Sequence, residues 1–154
     1  MPELAGIHHI KIPVTDLVRS IRWYREVLGF RPTMQFWDSD GVVRGTAGEL
    51  PGLSPALLGL RENPLAAQGC KGFDPVSLGA RDRDHLEQWS AHLDTHGVAH
   101  SPIIDASAGW LLVFNDPDGL ELHLYTWAEH GADTADRPGY ATPIENPDDW
   151  LPKR

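Results

Sequence analysis

The chain is short of cysteine, of positive charge and of long apolar runs. Its 154 residues hold a single cysteine, Cys70, so no disulfide can form within the chain, which fits a reducing cytoplasm. Lys and Arg number 13 against 22 Asp and Glu, a formal net charge of -9. Nothing offers the clustered cations that release counterions from a phosphate backbone, so no nucleic-acid partner is expected. No apolar run approaches the roughly 18 residues of a spanning helix, and no membrane partner is expected either. The opening residues, Met1 to Gly6, lack the basic and apolar stretches of a secretory leader; the expected location is cytoplasmic. With 41% hydrophobic and 23% charged residues the chain has the composition of a globular domain rather than a disordered one.

What the sequence does have is an internal repetition. Ile10, Ile12 and Val14 alternate with His9, Lys11 and Pro13, the period of a strand with one buried face. Asp16 suits a helix N-cap, Leu17, Ile21, Tyr24 and Leu28 recur at helical spacing, and Gly29 supplies the stop. Three shorter strand candidates follow, over 30–37, 41–46 and 56–61. The second half repeats this order. Val76, Leu78 and Ala80 alternate, Asp84 can cap a helix carrying Leu86, Trp89 and Leu93, and Gly97 closes it. Strand candidates over 99–104, 109–115 and 120–126 come next, the last two joined by the turn Asp116-Pro117-Asp118-Gly119. The expected fold class is therefore α+β, a βαβββ module over 6–61, a linker over 62–71 and a second βαβββ module over 72–127. The tail over 128–154 is Pro-rich and acidic; Tyr140, Ile144, Trp150 and Leu151 could pin it as an extended ordered segment.

Two motifs carry a resemblance. The run His9 to Leu17, followed by Ser20 to Tyr24 and Leu28-Gly29-Phe30, resembles the opening of vicinal oxygen chelate proteins, the glyoxalase, bleomycin-resistance and extradiol-dioxygenase superfamily. Phe114 to His123 resembles their closing hairpin and last strand. The resemblance implies two βαβββ modules whose mixed sheets curl around one cavity. In many members that cavity holds a divalent metal, whose open coordination positions polarise a bound oxygen or activate dioxygen.

Carried over residue by residue, the family's ligand set is incomplete. The first-strand His falls on His9, seven residues before Asp16, and the closing-strand Glu falls on His123, four residues after Gly119. The other two positions fall on Gly59 and Pro75, which offer no donor atom. Glu121 shares a strand face with His123 and would complete a three-residue set only by reaching back roughly 6–7 Å. Asp74 could join only through a bulge at Pro75. Imidazole and carboxylate donors suit Fe, Ni, Zn or Mn without choosing among them.

Other residues weigh less. Lys11 and Arg61 could face an anionic oxygen, or lie at solvated strand ends. Trp37, Trp110 and Tyr125 sit where the cavity wall or mouth should be and could stack on a planar ligand, whereas Trp23 and Trp89 read as core. His85, His92 and His96 share one side of the second helix, as a solvated edge or a two-His clamp. Cys70 reads as an ordinary loop thiol or as a thiolate beside Lys71. The favoured function is a small-molecule-binding protein of bleomycin-resistance type, binding or sequestering an aromatic or oxygen-rich ligand. The alternative is a lyase, isomerase or dioxygenase with a remodelled His9/His123 metal centre. A third version drops the metal and uses His9 or His123 as acid and base beside Lys11. The resemblance also implies a homodimer, which no residue here compels.

Overall fold

A computed structural model describes residues 1–134, 137–145, 147 and 150. In chain order the elements are β1 (His9–Val14), α1 (Leu17–Leu28), β2 (Arg31–Trp37), β3 (Val43–Glu49), β4 (Leu57–Glu62), α2 (Pro64–Gly69), β5 (Ser77–Ala80), α3 (Arg83–Thr95), β6 (Ile104–Asp105), β7 (Gly109–Asn115) and β8 (Glu121–Glu129). Two four-stranded mixed sheets result, ordered β1-β4-β3-β2 and β5-β8-β7-β6, so the halves share one topology. The sheets do not close on each other: β1 and β5 are edge strands, with no ladder on their outer sides among the described residues. No helix among the described residues is long and apolar enough to cross a membrane.

Local chemistry sets the boundaries. The Asp16 carboxylate accepts from the Arg19 amide, and Gly29 ends α1 in the left-handed region at φ 73°. For α3 the spacing pointed to Asp84, but Asp82 is the cap and accepts from the His85 amide. Asp84 instead lies in the first turn, where a carboxylate still faces the positive end of the helix. The strand expected over 99–104 shrinks to β6 and a single bridge from His100 to Phe114, because Pro102 has no amide to continue the ladder. The expected linker carries α2, capped by Asn63.

One core spans both halves, with Ile12, Tyr24, Phe30 and Leu60 from the first and Leu86, Leu112, Phe114 and Leu122 from the second. Polar bonds latch them together. The Tyr24 hydroxyl donates to Asp116 Oδ2 at 3.0 Å, while Asp116 Oδ1 accepts the amides of Asp118 and Leu120. Burial, and then the charge of Asp116, push the Tyr24 phenol well above its ordinary value. Burial also holds Asp116 above the usual carboxylate range, against the bonds it accepts. Asp118 accepts from the Thr15 amide at 2.8 Å, from the Thr15 hydroxyl and from Arg19. Burial pushes this carboxyl upward, but those donors outweigh it and hold it below its ordinary value. On the other side of the joint, the His92 ring donates from Nε2 to the Val27 carbonyl at 2.9 Å, satisfying one of the last carbonyls of α1.

Past β8 the tail is hooked onto the second half. His130 Nε2 donates to the Ala106 carbonyl, Thr134 to Ser107 and Tyr140 to Asp105. Of the other expected anchors, Ile144 and Trp150 are exposed and Leu151 lies outside the described residues.

Candidate functional site

Each sheet turns one face to the core and leaves the other open, and the strand period decides which side chains the open faces carry. On the first sheet, register places Gly59 beside Lys11 and Leu57 beside His9, with Ala47, Phe36 and Met34 continuing the same face. Met34 and Phe36 are exposed there, and Trp37 at the end of β2 is 64% exposed. Lys11 is exposed and makes no ion pair or hydrogen bond with any described residue. Among the described residues the hydrogen-bond and ring partner of His9 is its neighbour, His8, with their Nδ1 atoms 3.1 Å apart. Arg61 is anchored within the sheet: its guanidinium donates to Asp38 at 2.8 Å, and Arg44 joins the same carboxylate at 3.0 Å.

The open face of the second sheet holds the denser chemistry. Glu121, His123, Tyr125 and Trp127 alternate along β8, beside Ser77 and Gly79 of β5 and Leu111 and Val113 of β7. His123 has a carboxylate at each ring nitrogen: Nε2 donates to Glu121 at 2.7 Å, and Nδ1 stands 3.4 Å from Asp74. Its side chain is 16% exposed, held between those two acids. Tyr125 uses its oxygen to accept the Ala108 and Gly109 amides, leaving its own proton free to donate. The Trp127 indole lies over Gly79 so closely that a Cβ there would fall 2.4 Å from Nε1. Ser77, Gly79, Tyr125 and Trp127 together line a hollow of about 390 Å3.

Sequence reasoning missed one participant, Trp127, admitted a second, Asp74, only through a bulge, and placed a third differently. Trp127 continues the period of His123 and Tyr125, a signal that was there to be read. Asp74 precedes β5, so strand alternation does not govern it and it can turn toward His123. Trp110 shares its face with Leu112 and Phe114 rather than with Tyr125; it packs on the core and edge-on to His130, away from the open face.

The residues present do not fit the divalent centre that the resemblance implies. Among the described residues no three His, Cys, Asp or Glu side chains are placed to hold a metal ion. The donor set explains this. Gly59 has no side chain and Pro75 no donor, and the two nitrogens of an imidazole diverge, so Glu121 and Asp74 cannot share one ion with His123. His9 belongs to the other sheet, and its ring hydrogen-bonds to His8 rather than to any of the three.

Residues 6–124 match the family model of the Glyoxalase/Bleomycin resistance protein/Dioxygenase superfamily. The uncharacterized protein YaeR of Escherichia coli (strain K12) is 29% identical over 138 residues, covering 81% of this chain and 98% of its own. A glyoxylase/bleomycin resistance protein/dioxygenase domain from Frankia sp. EAN1pec superposes with a TM-score of 0.62 at 26% identity, over 80% of this chain and 98% of its own. TnmS3, an antibiotic binding protein from Streptomyces sp. CB03234, superposes with a TM-score of 0.66 at 22% identity, over 82% of this chain and 98% of its own.

Proposed function

The chain belongs to the glyoxalase/bleomycin resistance protein/dioxygenase superfamily, and from that membership we propose that it binds a small aromatic or oxygen-rich molecule on its second sheet, without a resident metal. The observation that carries this reading is the hollow under Trp127 and beside Tyr125, next along the strand from the His123–Glu121 pair. A planar ring stacks on the indole, which keeps 83% of its surface exposed. A polar edge of the ligand takes the Tyr125 hydroxyl proton or replaces Glu121 at His123. The apolar wall supplies affinity and the few polar groups fix orientation. The antibiotic binding protein TnmS3 shares the fold, which supports the reading by analogy.

A second copy of the chain completes the site in this reading. The open face of the first sheet carries exposed Met34 and Phe36 with the unpaired Lys11, and that of the second carries Asp74 and Glu121. The two faces are complementary in charge and both have apolar surface to bury. Sedimentation equilibrium should give two copies, and Phe36→Glu one.

The second reading, a metal-dependent lyase, isomerase or dioxygenase on His9, His123 and Glu121, rests on the family resemblance, since these donors do not converge on one point among the described residues. One experiment separates the two. Aromatic natural products are screened by thermal shift against protein stripped with EDTA, then with Fe(II), Ni, Zn or Mn added. Hits in EDTA that vanish in Trp127→Ala support binding without metal; hits confined to one added metal and lost in His9→Ala overturn it.

A further inference from the structure

The open faces are not the largest concavity. A groove of about 650 Å3 runs along the seam between the halves, sharing only the β5 residues Ser77 to Gly79 with the hollow on the second sheet. Val27, Leu28 and Leu53 form one wall and Trp89 the other, a size and lining ordinary for a small-molecule site. Glu26 is the single carboxylate among the described residues of the lining, is exposed, and its side chain makes no ion pair or hydrogen bond with any described residue; the imidazoles of His85 and His92 also line the groove, and no described Lys or Arg does. The carbonyl end of α1, residues 27–29, opens onto the same space and adds partial negative charge. Trp89 presents a π-system at the groove wall, fixed edge-on against the His92 ring at 5.3 Å. His92 is itself tied to the Val27 carbonyl, so the two walls are held at a set spacing.

We propose that this seam groove binds a hydrophobic organic cation, of the quaternary ammonium or bulky amine class. The apolar body fills the space between Leu53 and Leu28, and the cationic head settles between Trp89, Glu26 and the end of α1. Apolar walls lower the local dielectric, which strengthens both the cation–π contact and the attraction to Glu26. A neutral molecule of the same length gains the burial and none of the charge terms, and a carboxylate meets repulsion.

The test uses the full chain at pH 8 and three probes of equal length: octyltrimethylammonium, 1-octanol and octanoate, titrated by calorimetry. The cation should bind at least about fivefold more tightly than the alcohol, and the carboxylate most weakly. Glu26→Gln, at an exposed position that leaves the fold intact, should weaken the cation by about fivefold and leave the alcohol unchanged. Leu53→Arg, which places a cation in the groove, should abolish binding of octyltrimethylammonium. Equal affinity for cation and alcohol, or an unaltered affinity in Glu26→Gln, would overturn the proposal. Absence of cation binding by a dimer that Leu53→Arg converts to single chains would overturn it too, by showing a second copy in the groove.

Discussion

Replacing Tyr24 with Phe removes one oxygen from the joint between the halves and leaves its surroundings in place. Tyr24 is fully buried and Asp116 is 5% exposed, so water cannot take over the lost bond. The two carboxylate oxygens are not equivalent: Oδ1 keeps two amide donors at 2.9 Å, while Oδ2 has Tyr24 as its hydrogen-bond donor. A hydrogen bond to a charged group is worth about 1.5–3 kcal/mol. At roughly 2–4 °C per kcal/mol for a chain of this size, Tyr24→Phe should lower Tm by roughly 3–12 °C at pH 7.5. The pH dependence has a definite sign. Asp116 titrates above its ordinary value in the folded protein, and the Tyr24 bond opposes that rise by favouring the charged form. Without the hydroxyl the folded value climbs further, so the deficit is largest above it and shrinks as acid neutralises Asp116. Melting both proteins by circular dichroism at pH 7.5 and at successively lower pH down to the lowest at which the wild type stays folded, at one fixed protein concentration, gives the comparison. A Tm change under about 1 °C at pH 7.5, or a deficit that grows as the pH falls, would refute the reasoning.

Asp118→Asn should cost about 1–2 kcal/mol near pH 7, because the carboxylate holds the Thr15 amide, the Thr15 hydroxyl and Arg19. Asp118 lies below its ordinary value in the folded state, so its contribution is complete above the unfolded carboxyl range and is lost as pH falls through the folded value. The variant's urea midpoint should therefore approach that of the wild type in strong acid. Adding donors where the family positions are empty should create what the chain lacks. A Cβ on Gly59 meets nothing closer than 3.6 Å, and Gly59→Glu combined with Pro75→His supplies the missing donors where the first sheet of one copy faces the second sheet of the other, so in the two-copy assembly it should raise bound Ni or Zn, measured by elemental analysis, from substoichiometric toward one per site.

Much of this architecture was legible because each half announces it locally. The alternation around Ile10, Ile12 and Val14 identifies β1, and Asp16 with Gly29 brackets α1 at its observed ends. The same grammar in the second half gives β5, α3 and the hairpin closed by Gly119. Boundaries slipped where a second candidate stood close by, as with Asp82 and Asp84, or where one Pro truncated a ladder, as in β6. Within the site, period two is enough to put Glu121, His123 and Tyr125 on one face. Asp74 is a different matter, since its approach to His123 depends on a non-strand conformation before β5. The capture of Arg61 by Asp38 links residues 23 apart through the β2–β3 turn, and no spacing rule encodes it. Nor could the sequence say that β1 and β5 would remain edge strands with a groove between the halves.

The most direct test of the central claim is calorimetric titration of EDTA-stripped protein with the best aromatic hit, repeated on Trp127→Ala and His123→Ala. Binding without metal at about one ligand per chain, lost with the indole and weakened with the imidazole, is the predicted result. A ligand that binds only after Fe(II), Ni, Zn or Mn is restored, and that ignores Trp127, would contradict it.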